Sequence, residues 1–242
     1  MRIILFGGTT EGRTLACRLT DLGHAVTVSV ATPVGAEGLE GLDVREGRLE
    51  AEAMADLIRG CDLCVDATHP YAQQVHENIR LASSEAGVPL RRVSRPASDA
   101  EGCVVVETAR EAAEYLMDRE GSILLTTGAK ELPAFRDLDP ARLYPRVLPT
   151  HESLAACEAA GLSHRNILAL WGPFSAELNA AILRQYDIRW LVTKDGGAAG
   201  GFEEKREAAK QTKTAVILIR RPEEYGMTAE AFLKEFAKGE ET

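Results

Sequence analysis

Several things are missing from this chain, and each absence excludes a class. No apolar run approaches the roughly 18–20 residues that a membrane-spanning helix needs. The N-terminus reads straight into a strand, without the charged-then-apolar pattern of a secretory leader, so a cytoplasmic setting is expected. Cysteine is scarce and odd in number: Cys17, Cys61, Cys64, Cys103 and Cys157. An odd set scattered over predicted strands and helices argues for reduced thiols rather than a disulfide framework. Cys61 and Cys64 form C-x-x-C, but no second pair follows and the first lies on or beside an apolar strand. Neither zinc nor redox chemistry is expected there, and no metal ligand set is read. Positive charge is short as well. A formal net charge of −9 disfavours general nucleic-acid binding. A bound small anion remains possible, because a site needs only local positive charge. Arginine is locally dense at Arg45 and Arg48, at Arg91, Arg92 and Arg95, and at Arg220 and Arg221. Neither a nucleic acid nor a membrane is expected as a partner. The oligomeric state is left open, and a monomer satisfies the sequence.

What is present is ordinary in bulk. The 242 residues suit one large or two small domains, and 45% apolar with 27% charged residues is usual for a globular protein. The informative stretch is Gly7-Gly8-Thr9-Thr10-Glu11-Gly12-Arg13. It follows the apolar run Arg2 to Phe6 and precedes an amphipathic helical pattern, giving strand, glycine-rich turn, helix. Glycines allow a sharp turn and close approach to a ligand, and the helix N-terminus offers free N–H groups and a positive dipole end to an anion. All seven residues are therefore candidate phosphate-binding positions. Two motifs compete. G-x-G-x-x-G fits at Gly7 and Gly12 but meets Thr9 at its middle glycine. Walker A fits from Gly7 to Thr14 except that Arg13 stands where lysine belongs.

Along the chain, apolar runs alternate with helical periods, which implies βαβ units and parallel sheets. Ala25 to Val30 is a second strand. Its end, Ser29-Val30-Ala31-Thr32, lacks the acid that selects NAD through the ribose 2′-hydroxyl. Ser29, Thr32 and a nearby arginine such as Arg13 would instead accept a 2′-phosphate, which favours NADP(H). Strands over 63–66 and 88–93 enclose a helix over 73–86. The polar turn 99–102 marks a boundary, giving domains 1–98 and 99–242. The second domain repeats the βα alternation and, like the first, ends in a strand followed by arginine and proline. The expected fold is two Rossmann-like, doubly wound domains with an inter-domain cleft lined by the loops 7–13, 66–72, 126–132, 171–174 and 193–201.

Chemistry concentrates in three of those loops. Asp66-Ala67-Thr68-His69-Pro70-Tyr71 follows a strand. His69 can donate or relay a proton near neutral pH, Tyr71 is a hydrogen-bond donor, and Pro70 restricts His69 to extended backbone. Asp66 reads either as a helix cap or as a magnesium-binding Walker B aspartate. Thr126-Thr127-Gly128-Ala129-Lys130 is a second glycine turn into a helix, with hydroxyls and a lysine suited to phosphate or carboxylate. Lys194 to Gly201 contains four glycines and reads as a mobile lid or a flexible connection.

Together these stretches resemble the precorrin-6A reductase family of cobalamin biosynthesis. The resemblance rests on Gly-Gly-Thr-Thr-Glu-Gly-Arg at 7–13, Glu-Gly-Arg-Leu at 46–49 and Asp-Ala-Thr-His-Pro-Tyr-Ala at 66–72. Thr-Thr-Gly-x-Lys-x-Leu at 126–132, Gly-Pro-Phe at 172–174, Thr-Lys-x-x-Gly at 193–197 and Gly-Phe-x-x-Lys at 201–205 complete it. Asp195 stands where the family pattern has a small or hydroxyl residue. The resemblance implies an NADPH-dependent enzyme, with NADH an alternative, that reduces one carbon–carbon double bond of an anionic tetrapyrrole, metal-free or cobalt-containing. It implies cofactor contacts from Gly7 to Arg13, Ser29, Thr32, Thr68, Thr127 and Gly128. His69, Tyr71 and Lys194 are candidates for the proton step. Arg48, Lys130, Lys194, Gly197, Gly201 and arginines near 91–95 are candidates for substrate binding. Two other readings compete: a P-loop phosphotransferase built on Gly7–Thr14 and Asp66, and a non-enzymatic NADP(H)-binding redox sensor.

Overall fold

The structure is a computed structural model that describes residues 1–94, 98–197, 200–222 and 226–238. The chain forms two compact units, one of Met1–Pro96 with Pro222–Thr242 and one of Ala97–Arg221.

The first unit runs β1 (Arg2–Phe6), α1 (Thr10–Asp21), β2 (Ala25–Val30), α2 (Pro33–Ala36), β3 (Asp43–Glu46), α3 (Ala51–Ile58), β4 (Leu63–Asp66), α4 (Gln73–Ala86) and β5 (Leu90–Arg92). Its five strands are all parallel, in the order β3-β2-β1-β4-β5. A parallel strand covered on both faces reads as an unbroken apolar run, and β1 is buried from Ile3 to Phe6. Ile3 and Leu5 pack with Leu15, Leu19, Val26 and Val28, while Ile4 and Phe6 pack with Met54, Ile58 and Ile79.

The expected boundary at 98/99 gave the whole C-terminus to the second domain. The structure corrects this: residues from Pro222 onward return to the first unit. Met227 forms a parallel bridge with Val93, extending the first sheet beyond β5. The C-terminal helix, Ala229–Lys238, buries Phe232 completely in the core that contains Leu5 and Leu15. Burying one such ring is worth about 1.5–3 kcal/mol. An amphipathic helix shows that it covers a core, but its sequence does not say which one.

The second unit runs β6 (Val104–Val106), α5 (Ala109–Met117), β7 (Ser122–Leu125), β8 (Leu143–Val147), α6 (His151–Ala159), β9 (Leu168–Ala169), α7 (Ala176–Gln185), β10 (Ile188–Lys194), α8 (Phe202–Thr212) and β11 (Ala215–Ile219). Its six strands are again parallel, in the order β6-β11-β10-β7-β8-β9. Thr108, Thr150 and Ser175 start α5, α6 and α7 by accepting a backbone N–H from the first turn. The segment after Gly128 is a 3-10 helix, Ala129–Phe135, rather than the expected α-helix. Pro133 lies inside it and cannot supply the N–H that an α-helical turn requires.

In each unit the winding reverses once, between β1 and β4 in the first and between β7 and β10 in the second. Ligands of open α/β sheets bind beyond the strand ends at such reversals.

Candidate active site

In the first unit the chain leaves β1 through Gly7 and Gly8. The Gly7 N–H donates to the Ser29 carbonyl (2.9 Å), which ties the turn to β2. A Cβ on Gly7 would lie 3.0 Å from Leu5 Cδ2. Gly8 is exposed with φ +103°, a left-handed region that favours glycine. Thr9 caps α1: its Oγ1 accepts the Gly12 N–H (3.1 Å) and donates to the Ala67 carbonyl (2.8 Å). That pins the turn to the end of β4. The side chain of Thr9, one of the seven candidate phosphate-binding residues, is buried and turned into the protein. Gly12 is buried too. A Cβ there would sit 3.2 Å from Gly7 Cα and 3.5 Å from Ala67 Cβ, so this glycine permits close helix–strand packing.

Beside the turn lies a cavity of about 470 Å³, within the usual range for a ligand pocket. Gly7, Gly8, Ser29, Thr32, Arg48, Thr68 and His69 all line it. Thr9, Thr10, Glu11, Gly12, Arg13 and Tyr71 are not among the described residues that do. The Arg13 side chain instead lies beside Gly38, past α2. Arg48, expected among the substrate-binding residues, is exposed and lines the same cavity as the cofactor candidates Ser29 and Thr32.

Asp66, at the end of β4, is buried and caps no helix; α4 begins after Ala72. Its Oδ1 accepts from Thr68 N (3.0 Å), Thr68 Oγ1 (2.7 Å) and Arg92 Nη1 (3.1 Å), and its Oδ2 accepts from His76 Nδ1 (2.8 Å). Burial pushes this carboxyl up, but the His76 hydrogen bond, the Arg92 and His76 charges and the Thr68 N–H together hold it below its ordinary value. His76 Nε2 lies 3.5 Å from Arg92 Nη2. Arg92 also donates to the carbonyls of Asp66, Thr68 and Val93. The network fixes the segment that carries Thr68 and His69. It also answers the Walker reading, because both Asp66 oxygens are committed to protein donors. Among the described residues no cluster of His, Cys, Asp or Glu could hold a metal ion.

His69 is exposed, its Nδ1 accepts the Tyr71 N–H (3.3 Å), and the two rings lie 5.6 Å apart. Acceptance at Nδ1 leaves the neutral ring with its proton on Nε2. Arg92, read as one of the substrate-facing arginines, is committed to Asp66. Arg95 lies outside the described residues. His76 was not picked out as a site residue; nothing in the helical pattern of 73–86 shows that its ring meets Asp66.

In the second unit, Lys194 Nζ pairs with Glu131 Oε1 (2.6 Å) across the β7/β10 reversal. Lys130 is exposed and Gly128 turns with φ +87°. Thr127 is buried, and its Oγ1 has no hydrogen-bond partner among the described residues. The lysine–glycine loop begins as a packed element rather than an open lid. Asp195, Gly196 and Gly197 are buried, and Asp195 accepts from Ser98 Oγ (2.6 Å) and Gly197 N (3.2 Å) and lies 3.7 Å from Arg221 Nε. A small or hydroxyl residue at 195 would supply no such charge. Ala198 and Ala199 of this loop lie outside the described residues, and Gly201 caps α8 with φ +65°.

Two doubly wound parallel units, one with a glycine turn and a ligand-sized cavity at its reversal, define a dinucleotide-binding type of α/β protein. Comparison with known proteins narrows this. Residues 2–238 match the family model described as precorrin-6x reductase CbiJ/CobK. The chain is similar to the cobalt-precorrin-6A reductase of Priestia megaterium, at 37% identity over 95% of this chain and 94% of that protein. It is also similar to the precorrin-6A reductase of Rhodococcus erythropolis, at 34% identity over 91% and 89%. A solved CobK precorrin-6A reductase superposes with TM-score 0.80 at 27% identity, covering 98% of this chain and 97% of that one. The chain belongs to the precorrin-6x reductase family.

Proposed function

We propose that this protein reduces one carbon–carbon double bond of precorrin-6A, metal-free or cobalt-containing, with NADPH. Membership of the reductase family makes it an oxidoreductase and implies a nicotinamide cofactor. The observation that carries the finer reading is the cavity beside Gly7 and Gly8. The residues present fit a dinucleotide: two glycines free of bulk and hydroxyls from Ser29, Thr32 and Thr68. No acid closes β2, and Arg48 is the exposed cation at the same cavity. We assign Arg48 rather than Arg13 to the 2′-phosphate, where a guanidinium suits a phosphate bidentately.

Bound there, the cofactor would supply hydride to the macrocycle. The chain supplies the rest. The Thr9 cap and the Asp66 network hold the turn and the 68–69 segment rigid, so the donor groups are placed in advance. His69 Nε2–H is the proton donor in this reading, with Tyr71 fixing its ring. Lys194, paired with Glu131, is the alternative donor. Free cysteines throughout suit work in the cytoplasm, and no helix among the described residues is long and apolar enough to cross a membrane.

The test is consumption of NADPH on mixing with precorrin-6A and with its cobalt form. Oxidation with at least one macrocycle is expected; binding of NADPH without oxidation by either would leave the sensor reading. Arg48→Met should weaken NADPH binding about tenfold, the equivalent of one phosphate contact at about 1.4 kcal/mol, and leave NADH binding unchanged. Equal loss for both cofactors would remove Arg48 from the 2′-phosphate.

A further inference from the structure

The chain passes between the two units twice, after residue 96 and after Arg221. Within the first unit the two passages are paired by backbone: Met227 N donates to the Arg92 carbonyl (3.1 Å) and Ser94 N to the Met227 carbonyl (3.0 Å). Within the second unit one side chain meets both passages, and it is Asp195. Ser98 stands just past the first passage. Its Oγ donates to Asp195 Oδ1 (2.6 Å), and its N–H is shared between the two carboxylate oxygens (3.3 Å each). Arg221 stands just before the second passage, and its Nε lies 3.7 Å from Asp195 Oδ2.

The same carboxylate shapes the glycine loop. Its Oδ1 accepts the Gly197 N–H (3.2 Å), and Gly200 N donates in turn to the Gly197 carbonyl (3.0 Å). The loop is folded so closely that a Cβ on Gly196 would lie 3.1 Å from Gly200 Cα. Asp195 N donates to the Ile219 carbonyl (3.0 Å), which carries the β10–β11 pairing one residue past Lys194. Both charged side chains are buried, at 5% exposure for Asp195 and 10% for Arg221. Among the described residues Asp195 is the one acid that Arg221 pairs with, and Arg221 Nη1 is buried without a hydrogen-bond partner. A buried guanidinium needs its anion, so Arg221 holds the carboxylate in place, and the carboxylate holds the loop. Lys194, the residue before, turns to Glu131 (2.6 Å) instead.

We propose that Asp195 is a positioning residue: it ties the loop that presents Lys194 to both chain passages, so that the loop and the passages shift together. A neutral acceptor at 195 would serve Ser98 and Gly197. Only an anion serves Arg221 as well, which gives a role to the acid that departs from the family pattern. The node is shared by three segments far apart in sequence, and a change in any one of them is felt by the other two. The effect on turnover rests on the function proposed above; the tie between Arg221 and the loop does not.

The experiment uses the full-length enzyme and variants that separate the contacts. Arg221→Met removes the cation. Asp195→Asn keeps an oxygen for Ser98 and Gly197 but drops the charge. Ser98→Ala removes one hydroxyl contact. Arg220→Met is the control, because Arg220 pairs with the exposed Glu107 and not with Asp195. Hydrogen–deuterium exchange followed by mass spectrometry reads the tie. Arg221→Met should speed exchange of the peptide holding Gly196 and Gly197 about tenfold and leave the peptide over 7–13 unchanged. Its kcat for precorrin-6A, and that of Asp195→Asn, should fall about tenfold with KM for NADPH unchanged, and the double variant should be no slower than either single one. Arg220→Met should match the parent. Unchanged loop exchange in Arg221→Met overturns the tie, and so does acceleration spread equally over 7–13. Faster loop exchange at unchanged kcat overturns the positioning role. Should Arg221→Met fail to fold, Ser98→Ala decides: loop exchange about threefold faster is expected, and parent-like exchange overturns the proposal. Faster loop exchange in an enzyme that reduces no precorrin-6A would sustain the tie and sink the proposed reaction. Reduction of precorrin-6A with loop exchange and kcat untouched in Arg221→Met would do the reverse.

Discussion

The buried charge at the end of β4 in the first unit is an acid, Asp66, and Thr68, His76 and Arg92 occupy both of its oxygens. Two buried cations of the second unit, Arg146 on β8 and Lys205 on α8, donate their hydrogen bonds to neutral acceptors, Asn179 and the Gly200 carbonyl. The topology is alike; the electrostatics are not. A satisfied network rigidifies its surroundings whether or not a ligand is present. The contrast teaches that the first unit is finished before its ligand arrives, as a preformed dinucleotide cradle should be.

The contrast can be broken or sharpened by experiment. The largest effect is expected from Asp66→Asn, which leaves Arg92 without its carboxylate. Unfolding in denaturant should show a loss of about 3 kcal/mol, with weaker NADPH binding. A loss well under 1 kcal/mol would mean that Asp66 does not organise the first unit. The pH dependence of stability should separate the units at opposite ends of the scale. Lys205 titrates near 8 when folded and near 10.5 when not, so the unfolded chain holds the extra proton between those values. Stability should therefore rise across that window, by at most about 3 kcal/mol, and the rise should vanish in Lys205→Met. Asp66 is held below its ordinary value, so its contribution is present above about pH 4 and is lost as the pH falls through its folded value.

Gly12→Val comes next. The added side chain would press on the Gly7 backbone and Ala67, and overpacking of this kind costs about 1–3 kcal/mol. NADPH affinity should fall together with Tm, because the clash lies behind the turn rather than on its ligand side. Loss of affinity at unchanged Tm would put Gly12 in contact with the cofactor. The smallest effect is expected from Thr9→Ala, about 1 kcal/mol for a lost helix cap, with Thr9→Ser close to the parent.

Much of this architecture could be read from sequence. The strands Arg2–Phe6, Ala25–Val30 and Leu63–Asp66 and the helix Gln73–Ala86 lie where periodicity and turn residues predict them. Strands buried on both faces and helices with one apolar face leave strong local signals. Local signals do not carry the rest. The return of 222–242 to the first unit is a choice between two cores. His76 meets Asp66, and Arg92 turns inward, only because β4, β5 and α4 converge. Gly7, Gly8, Ser29, Thr32, Arg48, Thr68 and His69, read from the sequence in three separate roles, line one cavity, whereas Arg13 looked suitable by spacing and lies beside Gly38. Arg146 left no trace, since a single arginine in an apolar strand looks the same whether it is paired or not.

The most direct measurement follows the transferred hydrogen itself. NADPH carrying deuterium at the transferable position of its nicotinamide is incubated with the enzyme and precorrin-6A, and the product is weighed by mass spectrometry. One deuterium on the reduced macrocycle, in a reaction weakened by Arg48→Met, is the predicted result. A reduced macrocycle free of deuterium, or no reduced macrocycle at all, would contradict the account.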